Sequence, residues 1–494
     1  MKIWISLLIF IFVSCSKITE RPDTVVMGVP SDIITLDPHA HNDAGSSRIV
    51  AQVFNRLLEK NRQGEFLPSL VIEWKMIDPL LWEFKLRPNV LFHNGAPLTI
   101  EDVVFSLERM RKTPGMLRDL MTSIEEIRPV GEGKFQIKTR YFDDLLLDVL
   151  AHNAAGIMHK QTVESLGPEV TRYAVGTGAY KVADHKIGDS VLLQRNEDFF
   201  DGAPQVPYIL LRNIVDPFVR SLALETKELQ ISYIHDSDVE AMRLLPYLDL
   251  VEFESSRLEY LGMNFRKPEF QDISLRRALL YAVDRKGLVN ALLSGNGKPL
   301  VVPLPWRVAQ PFMTQNEYSA FIQEHQINTL PDFTLPKRTL IFGTPEGYRV
   351  KLAEAIQASL GELGIKTEIR VLEYGAFLEA LTEGAFDLFL YGKTSVTLNP
   401  YEFFYDIYHS HSTPSLGNAG FYKNENLDPL IEQVRREISP EKRRALYTEI
   451  ADKVAEDVAV VPLYAPVFYL GQNKKIKGFY LDNVFSPRFD RISY

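Results

Sequence analysis

A chain of 494 residues with a single cysteine, Cys15, has no internal disulfide, so its fold rests on core packing. It also lacks an apolar run of about 20 residues, the length that crosses a hydrocarbon core, which excludes a permanent helical span. Basic runs are absent beyond short clusters such as Lys474-Lys475, and the net charge is −9, which argues against nucleic acid as a partner. No low-complexity block or short-period repeat interrupts the chain, and Gly and Pro are scattered, so no linker marks a domain boundary. The glycine-rich stretches "GTGAYK" and "GNGKP" lack phosphate-loop spacing, and no G-x-S-x-G nucleophile elbow occurs. The acid pairs Glu125-Glu126 and Asp143-Asp144 read as solvated faces, not as a glycosidase pair. An enzyme is therefore not expected, and no cofactor is implied.

What is present begins with the leader. Met1-Lys2 is followed by an apolar run from Ile3 to Val13, of signal-peptide length. Val13-Ser14-Cys15 is similar to the lipobox of bacterial lipoproteins, with Phe12 where Leu is usual. That likeness explains both the position of Cys15 and its solitude: residues 1–14 would be removed, Cys15 lipidated, and 15–23 left as a tether. The alternative is ordinary cleavage after Ser16, with Cys15 discarded or left free. The full chain is 46% hydrophobic and 24% charged, the profile of a globular protein long enough for two or three lobes.

Strands and helices alternate along it. "IKTEIRVLE" places Ile365, Thr367, Ile369 and Val371 on one covered face, with Lys366, Glu368 and Arg370 opposite. Leu352, Ala355, Ile356, Leu360 and Leu363 recur at helical spacing before it, and Gly364 stands where a helix end wants a left-handed residue. A second helix from about Tyr374 stops at Gly384, and the apolar "FDLFLYG" follows as a buried strand. This order predicts an α/β lobe with a largely parallel sheet, whose ligand loops lie at the carboxyl ends of its strands; "YGKTSVTLNP" is one such loop. Earlier, Trp82, Phe84 and Leu86 alternate with charged residues, Asn94-Gly95 turns the chain, and Thr99 with Asp102 predicts a capping box ahead of a helix burying Val103, Leu107 and Met110.

The stretch "WEFKLRPNVLFHNGAPLTIEDVVFSLERM" resembles the most recognisable segment of the family 5 extracellular solute-binding proteins, the peptide and nickel receptors of ABC importers. The likeness continues in family order through "VGTGAYKVADHKIGDSVLLQRNEDFFDGAP", "LGMNFRKPEFQDISLRRALLYAVDRKGLV", "LAEAIQASLGELGIKTEIRVLE", "EGAFDLFLYG", "RRALYTEIADKVAEDVAVVPLY" and "KIKGFY". Several of its residues also carry plain structural readings: Asp284 as a helix cap, Gly176 and Gly178 as a tight turn.

The resemblance implies an α/β fold of two lobes, the periplasmic binding protein fold of class II or cluster C, with an extra subdomain. Lobe I would comprise about 24–48, 176–257 and 464–494, the extra subdomain 49–175, and lobe II 258–463. It further implies a monomer that is anchored to a bacterial membrane by lipid, faces the periplasm or cell exterior, and delivers its ligand to ABC permease subunits. Peptide-binding relatives meet the ligand ammonium with an Asp a few residues before an Asp-Pro pair. Here Lys393-Thr394-Ser395-Val396-Thr397-Leu398-Asn399-Pro400 holds no acid: Val396 takes the carboxylate's place, Asn399 replaces the second Asp, and Lys393 stands where Trp is usual. An acid elsewhere, such as Asp43, would have to meet the ammonium, or the ligand is not a free-amine peptide. Arg349 and Lys351 precede a helix where dipeptide receptors keep an Arg for the ligand carboxylate. Joined to Lys393, they suggest an anionic ligand. The candidate contacts are therefore Asp43, Asn264, Arg349, Lys351, Tyr391, Lys393, Thr394, Ser395, Val396, Asn399 and Tyr405. His409 and His411 form the only short metal-like spacing, near where nickel receptors keep a His. Three classes stay open: a peptide receptor, a receptor for an anionic or metal-chelate ligand, and a lipoprotein for sensing or adhesion.

Overall fold

The computed structural model describes residues 23–61, 64–131, 133–414, 417–482 and 485–494; Cys15 and the leader lie outside them. No helix among these residues is long and apolar enough to cross a membrane.

One curled sheet runs through both lobes. Its main path, in spatial order, is Thr367–Leu372, Leu340–Pro345, Leu388–Thr394, Arg257–Met263, Val460–Asn473, Ile231–Ile234, Thr24–Val29, Tyr208–Asn213, Ser190–Arg195 and Tyr180–Lys186. The first three strands are mutually parallel, as the alternating helix and strand pattern predicts, because each parallel return needs a crossover helix. Two chain segments pass between the lobes. Leu248–Glu254 continues through Ser255-Ser256 into Arg257–Met263, and Val460–Asn473 pairs with both of those strands.

The local expectations for lobe II hold, with one difference. Gly364 and Gly384 sit at φ of +79° and +74°, ending the helices Arg349–Glu362 and Tyr374–Glu383 in the left-handed region. Leu352, Ile356 and Leu360 are buried. Val371, expected under cover, is 43% exposed. Its strand lies at the edge of the sheet, where the covering layer runs out.

The extra sheet is antiparallel, in the order Val71–Asp78, Leu81–Leu86, Lys134–Thr139 and Ile124–Gly131. Phe84 and Phe135 stack face to face at 5.2 Å, and Val103, Leu107 and Met110 of the helix Ile100–Met110 join that core. The capping box is present: Thr99 Oγ1 accepts from Asp102 N, and Thr99 N donates to Asp102 Oδ2 at 3.0 Å.

Gly176 and Gly178 have a different reason from the turn expected of them. A Cβ on either would stand 2.0 Å from the Val53 carbonyl or 2.1 Å from that of Gln52, so two backbones meet there with no room for a side chain. Gly178→Ala is accordingly expected to cost about 2–3 kcal/mol of stability, read as a lowered urea midpoint at unchanged slope.

Candidate ligand cleft

Parallel strands Leu340–Pro345 and Leu388–Thr394 end at a common edge of lobe II. Beside that edge the crossing strand Arg257–Met263 carries Arg257 and Glu259, two residues apart and so on one face. Glu259 is buried, and an unpaired buried carboxylate is costly. Five donor contacts meet it, one of them from Arg349 Nε to Oε2 at 3.3 Å. Arg257 Nε reaches Oε1 at 2.5 Å, Arg349 Nη2 reaches Oε1 and Oε2 at 2.8 and 3.0 Å, and the Tyr348 hydroxyl donates to Oε1 at 3.1 Å. Arg257 also donates to Thr394 Oγ1 at 3.2 Å. Burial works against the Arg257 charge, but Glu259 more than offsets it and holds the guanidinium above its ordinary range. Gly392 makes the arrangement possible, since a Cβ there would lie 2.4 Å from Arg257 Nη2 and 2.7 Å from the Glu259 carboxyl carbon.

Two guanidiniums against one carboxylate leave this cluster one positive charge in excess. Directly beside it, Tyr348, Tyr464, Lys351, Gly347 and four leucines, Leu288, Leu292, Leu293 and Leu352, line a cavity of about 330 Å³. Lys351 is exposed and adds a further cation at its mouth, with no ion pair among the described residues. An apolar recess rimmed by positive charge suits a ligand that joins a hydrophobic group to a carboxylate.

The opposite face of Leu388–Thr394 tells against one expectation. Tyr391 turns its ring edge-on to Tyr260 at 6.1 Å, and Lys393 pairs with Asp406 of the helix Pro400–Tyr408. Burial pushes the Asp406 carboxyl up to about 6, with Glu402 adding and Lys393 opposing. Lys393 itself is held above its ordinary range: burial disfavours its charge, and Asp406 and Glu402 outweigh that. Its ammonium is therefore compensated inside lobe II and is no free cation for an anionic ligand.

The loop that follows holds an acid after all, contributed from beyond its end. Glu402 folds back beneath it and accepts from Val396 N at 2.9 Å and from Thr397 N and Oγ1, each at 2.8 Å. Ser395 lies against the same carboxylate at 3.4 Å. Those hydrogen bonds hold the loop's shape and leave Glu402 3% exposed, so it is not open to a ligand ammonium. Asn399 caps the helix through its side-chain oxygen, which accepts from Tyr401 N at 2.9 Å, while its amide nitrogen donates to Asp148 at 2.8 Å and Asp144 at 3.3 Å.

Asp144 and Asp148 lie 255 and 251 positions before Asn399, so Asn399 joins two distant parts of the chain. Arg435 grips Asp143 there with Nε and Nη2, both at 2.9 Å, and Arg443 meets Asp144 at 3.0 Å. Ser123 and Lys60 complete the set on Asp143 and Asp148. The acid pair expected on a solvated face is thus a buried long-range contact, with Asp143 4% exposed; Glu125 and Glu126 are exposed as expected. Burial pushes Asp144 up to about 6, Arg443 opposing and Asp148 adding.

Three other candidates sit elsewhere. Asn264 is at the far end of the crossing strand, where its amide donates to the Gly384 and Phe386 carbonyls, both at 3.0 Å. It clamps a strand end and is not a cleft residue. Asp43 caps the helix Ala44–Val53 in lobe I, accepting from Ser46 N at 2.8 Å; among the described residues no hydrogen bond or ion pair joins it to lobe II. Tyr405 stacks on His409 at 4.5 Å. His409 and His411 gain a third partner in Glu432, with all ligating atoms within 4.8 Å. However, His409 Nδ1 accepts from His411 N at 3.1 Å, which puts the ring proton on Nε2, 3.5 Å from Glu432. A metal at Nε2 would have to displace that proton.

Comparison with known proteins gives the class. The family model described as bacterial extracellular solute-binding proteins, family 5 (middle), matches residues 65–415. The chain belongs to that family. Proteins of this kind are exported transport receptors and not enzymes, and this solute-binding protein shares their two-lobed α/β fold. It is 25% identical over 492 residues to the probable D,D-dipeptide-binding periplasmic protein DdpA of Escherichia coli (strain K12), covering 95% of this chain and 93% of that one. The oligopeptide-binding protein AppA from Bacillus subtilis, solved with a nonapeptide, matches with a TM-score of 0.76 at 22% identity, over 95% and 98% of the two chains. NikZ from Campylobacter jejuni, solved with Ni(L-His), matches with a TM-score of 0.75 at 21% identity, over 95% and 97%.

Sequence reasoning passed over Glu259. Its signal was there: a charged residue inside the apolar run "LEYLGM", with Arg two positions earlier on the same strand face.

Proposed function

We propose that this protein is a lipid-anchored receptor that captures a peptide between its lobes and delivers it to an ABC importer. The observation that carries the ligand class is the excess positive charge of Arg257, Arg349 and Lys351 over Glu259, set against the leucine-lined cavity. A peptide supplies both complements, a terminal carboxylate and an apolar side chain. Asp43, from lobe I, is the acid available for its ammonium. Relatives named for dipeptides and oligopeptides support the same reading. Lobe I (24–48, 176–257 and 464–494, with the subdomain 49–175) and lobe II (258–463) would close as rigid bodies about the two crossing segments. Calorimetry with Ala-Ala-Leu, its C-terminal amide and Ala-Ala-Lys tests it. The free acid of the leucine peptide is expected to bind at least about tenfold tighter than the other two. Equal or absent binding of all three would contradict the ligand class.

The His409, His411 and Glu432 cluster and the fold shared with NikZ favour a second reading, a nickel chelate. Titration with Ni(L-His)₂ decides it: a visible-range spectral change lost in His411→Ala would replace the peptide reading. Anchoring is separable from both. Cys15→Ala is expected to release the protein from the membrane fraction on alkaline washing, since the acyl chains of a lipidated Cys15 would be its attachment.

A further inference from the structure

Lobe I contains a second cavity, of about 340 Å³, that shares no lining residue with the cleft site. It opens between the hairpin Leu58–Lys60/Phe66–Pro68 and the C-terminal hairpin Tyr480–Leu481/Pro487–Arg488. Arg56 and Arg488 wall it, 2% and 4% exposed. Burying a guanidinium costs several kcal/mol unless its donors and its charge are matched. Here the charge is met by Glu59, Asp482 and Asp490, and it is the donors that are under-used. Arg488 Nη2 donates to Glu59 Oε1 at 3.2 Å, but Arg488 Nε and Nη1 and Arg56 Nε reach no protein acceptor in hydrogen-bonding geometry among the described residues.

The nearby carboxylates do not supply what is missing. Glu59 and Asp482 each lie 3.9 Å from Arg56 Nη2, beyond hydrogen-bond reach, and Asp490 lies 3.3 Å from Arg488 Nε without the alignment a hydrogen bond needs. Lys60 is spent on Asp148, and Arg491 at the rim is 3.8 Å from Asp490. Burial would raise the Glu59 carboxyl, yet Arg488 and Arg56 hold it down at about 2, so it stays charged beside them. Leu67, Leu481 and Tyr480 supply apolar wall beside them.

Two buried guanidiniums that wall one cavity, with apolar wall to one side, match the planar, multi-acceptor geometry of an oxyanion. We infer that this cavity is an anion site of lobe I, taking a small solute that presents a phosphate or carboxylate group to Arg56 and Arg488. It is distinct from the transported ligand's site, and its occupant would tie the extra subdomain to the C-terminal hairpin.

Thermal melts and calorimetry of the purified protein with inorganic phosphate and with citrate, against sodium chloride at matched ionic strength, test it. Either oxyanion is expected to raise the melting temperature where chloride does not. Leu67 stands at the mouth and is 42% exposed, so Leu67→Glu leaves the core intact while setting a carboxylate at the entrance. It is expected to weaken the oxyanion at least about tenfold, and Arg56→Lys, which keeps the charge but loses the fork, to weaken it as well. No rise above chloride, or an affinity unchanged in both variants, would overturn the site. Peptide affinity at the cleft is expected to be unaltered by Leu67→Glu, which keeps the two sites separable.

Discussion

Arg435→Met is expected to loosen the proposed contact between the lobes by about 3–5 kcal/mol, because it strands the Asp143 carboxylate in a buried position. Asp143 is 4% exposed and takes two hydrogen bonds from the one guanidinium, both at 2.9 Å. Methionine fills the volume of the arginine stem and removes only the charge and its donors. Arg435 also donates to the Leu120 carbonyl at 3.0 Å, so a second acceptor in the subdomain is orphaned. In a two-lobed receptor the loss has two outlets, opening of the lobes and unfolding. The ligand-free variant should therefore show a larger radius of gyration in solution scattering together with a lower melting temperature. Asp143→Asn combined with Arg435→Met should recover most of the deficit, since the stranded charge is then gone. An unchanged radius and melting temperature in the single variant would mean that this pair does not hold the lobes together.

The residues of that contact show where sequence reading stops. Whatever is encoded over a few residues was legible: the Thr99–Asp102 box, the Asp284 cap and the left-handed stops at Gly364 and Gly384 are each set by main-chain groups no more than four positions away. Asp143 and Arg435 are 292 residues apart, and nothing local in "YFDDLL" distinguishes a solvated acid pair from one buried against another lobe. The same holds for Lys393. Its partner Asp406 is close in sequence, but the pairing depends on how the helix Pro400–Tyr408 folds back on the strand before it. Gly176 and Gly178 were visible as special positions, yet close backbone approach and turn formation leave the same mark in a sequence. At the candidate site, Arg349 and Lys351 could be found by position along the family pattern, whereas Glu259, the acid that holds Arg349 and Arg257 together, could be found only as a charge out of place on a buried strand.

Asn399 was legible as a departure from its relatives, and the structure supplies a reason that leads to the second large effect. Its amide nitrogen donates to Asp148 at 2.8 Å and faces Asp144 at 3.3 Å, so an aspartate there would set a third carboxylate against two. At an effective dielectric of about 20, like charges some 3–4 Å apart repel by roughly 4 kcal/mol each before relaxation. Asn399→Asp is therefore expected to weaken the lobe contact by about 3 kcal/mol at pH 8, even though Asp caps a helix as well as Asn does. The pH dependence distinguishes repulsion from misfolding. Burial already raises Asp144 to about 6, and the Asn399 hydrogen bond is one of the influences holding it down, so the substitution pushes it higher still. A carboxyl whose value is raised in the folded contact binds its proton there more tightly than when exposed. The contact therefore strengthens as pH falls through 6 toward 4 and weakens as pH rises through the same window. In the wild-type protein this amounts to about 1 kcal/mol between pH 7 and pH 5. In Asn399→Asp the deficit should be full above pH 7 and largely gone by pH 5, seen as melting curves of variant and wild type that converge on acidification. A deficit that is the same at pH 5 and pH 8 would rule out carboxylate repulsion and put the cost in the helix cap instead.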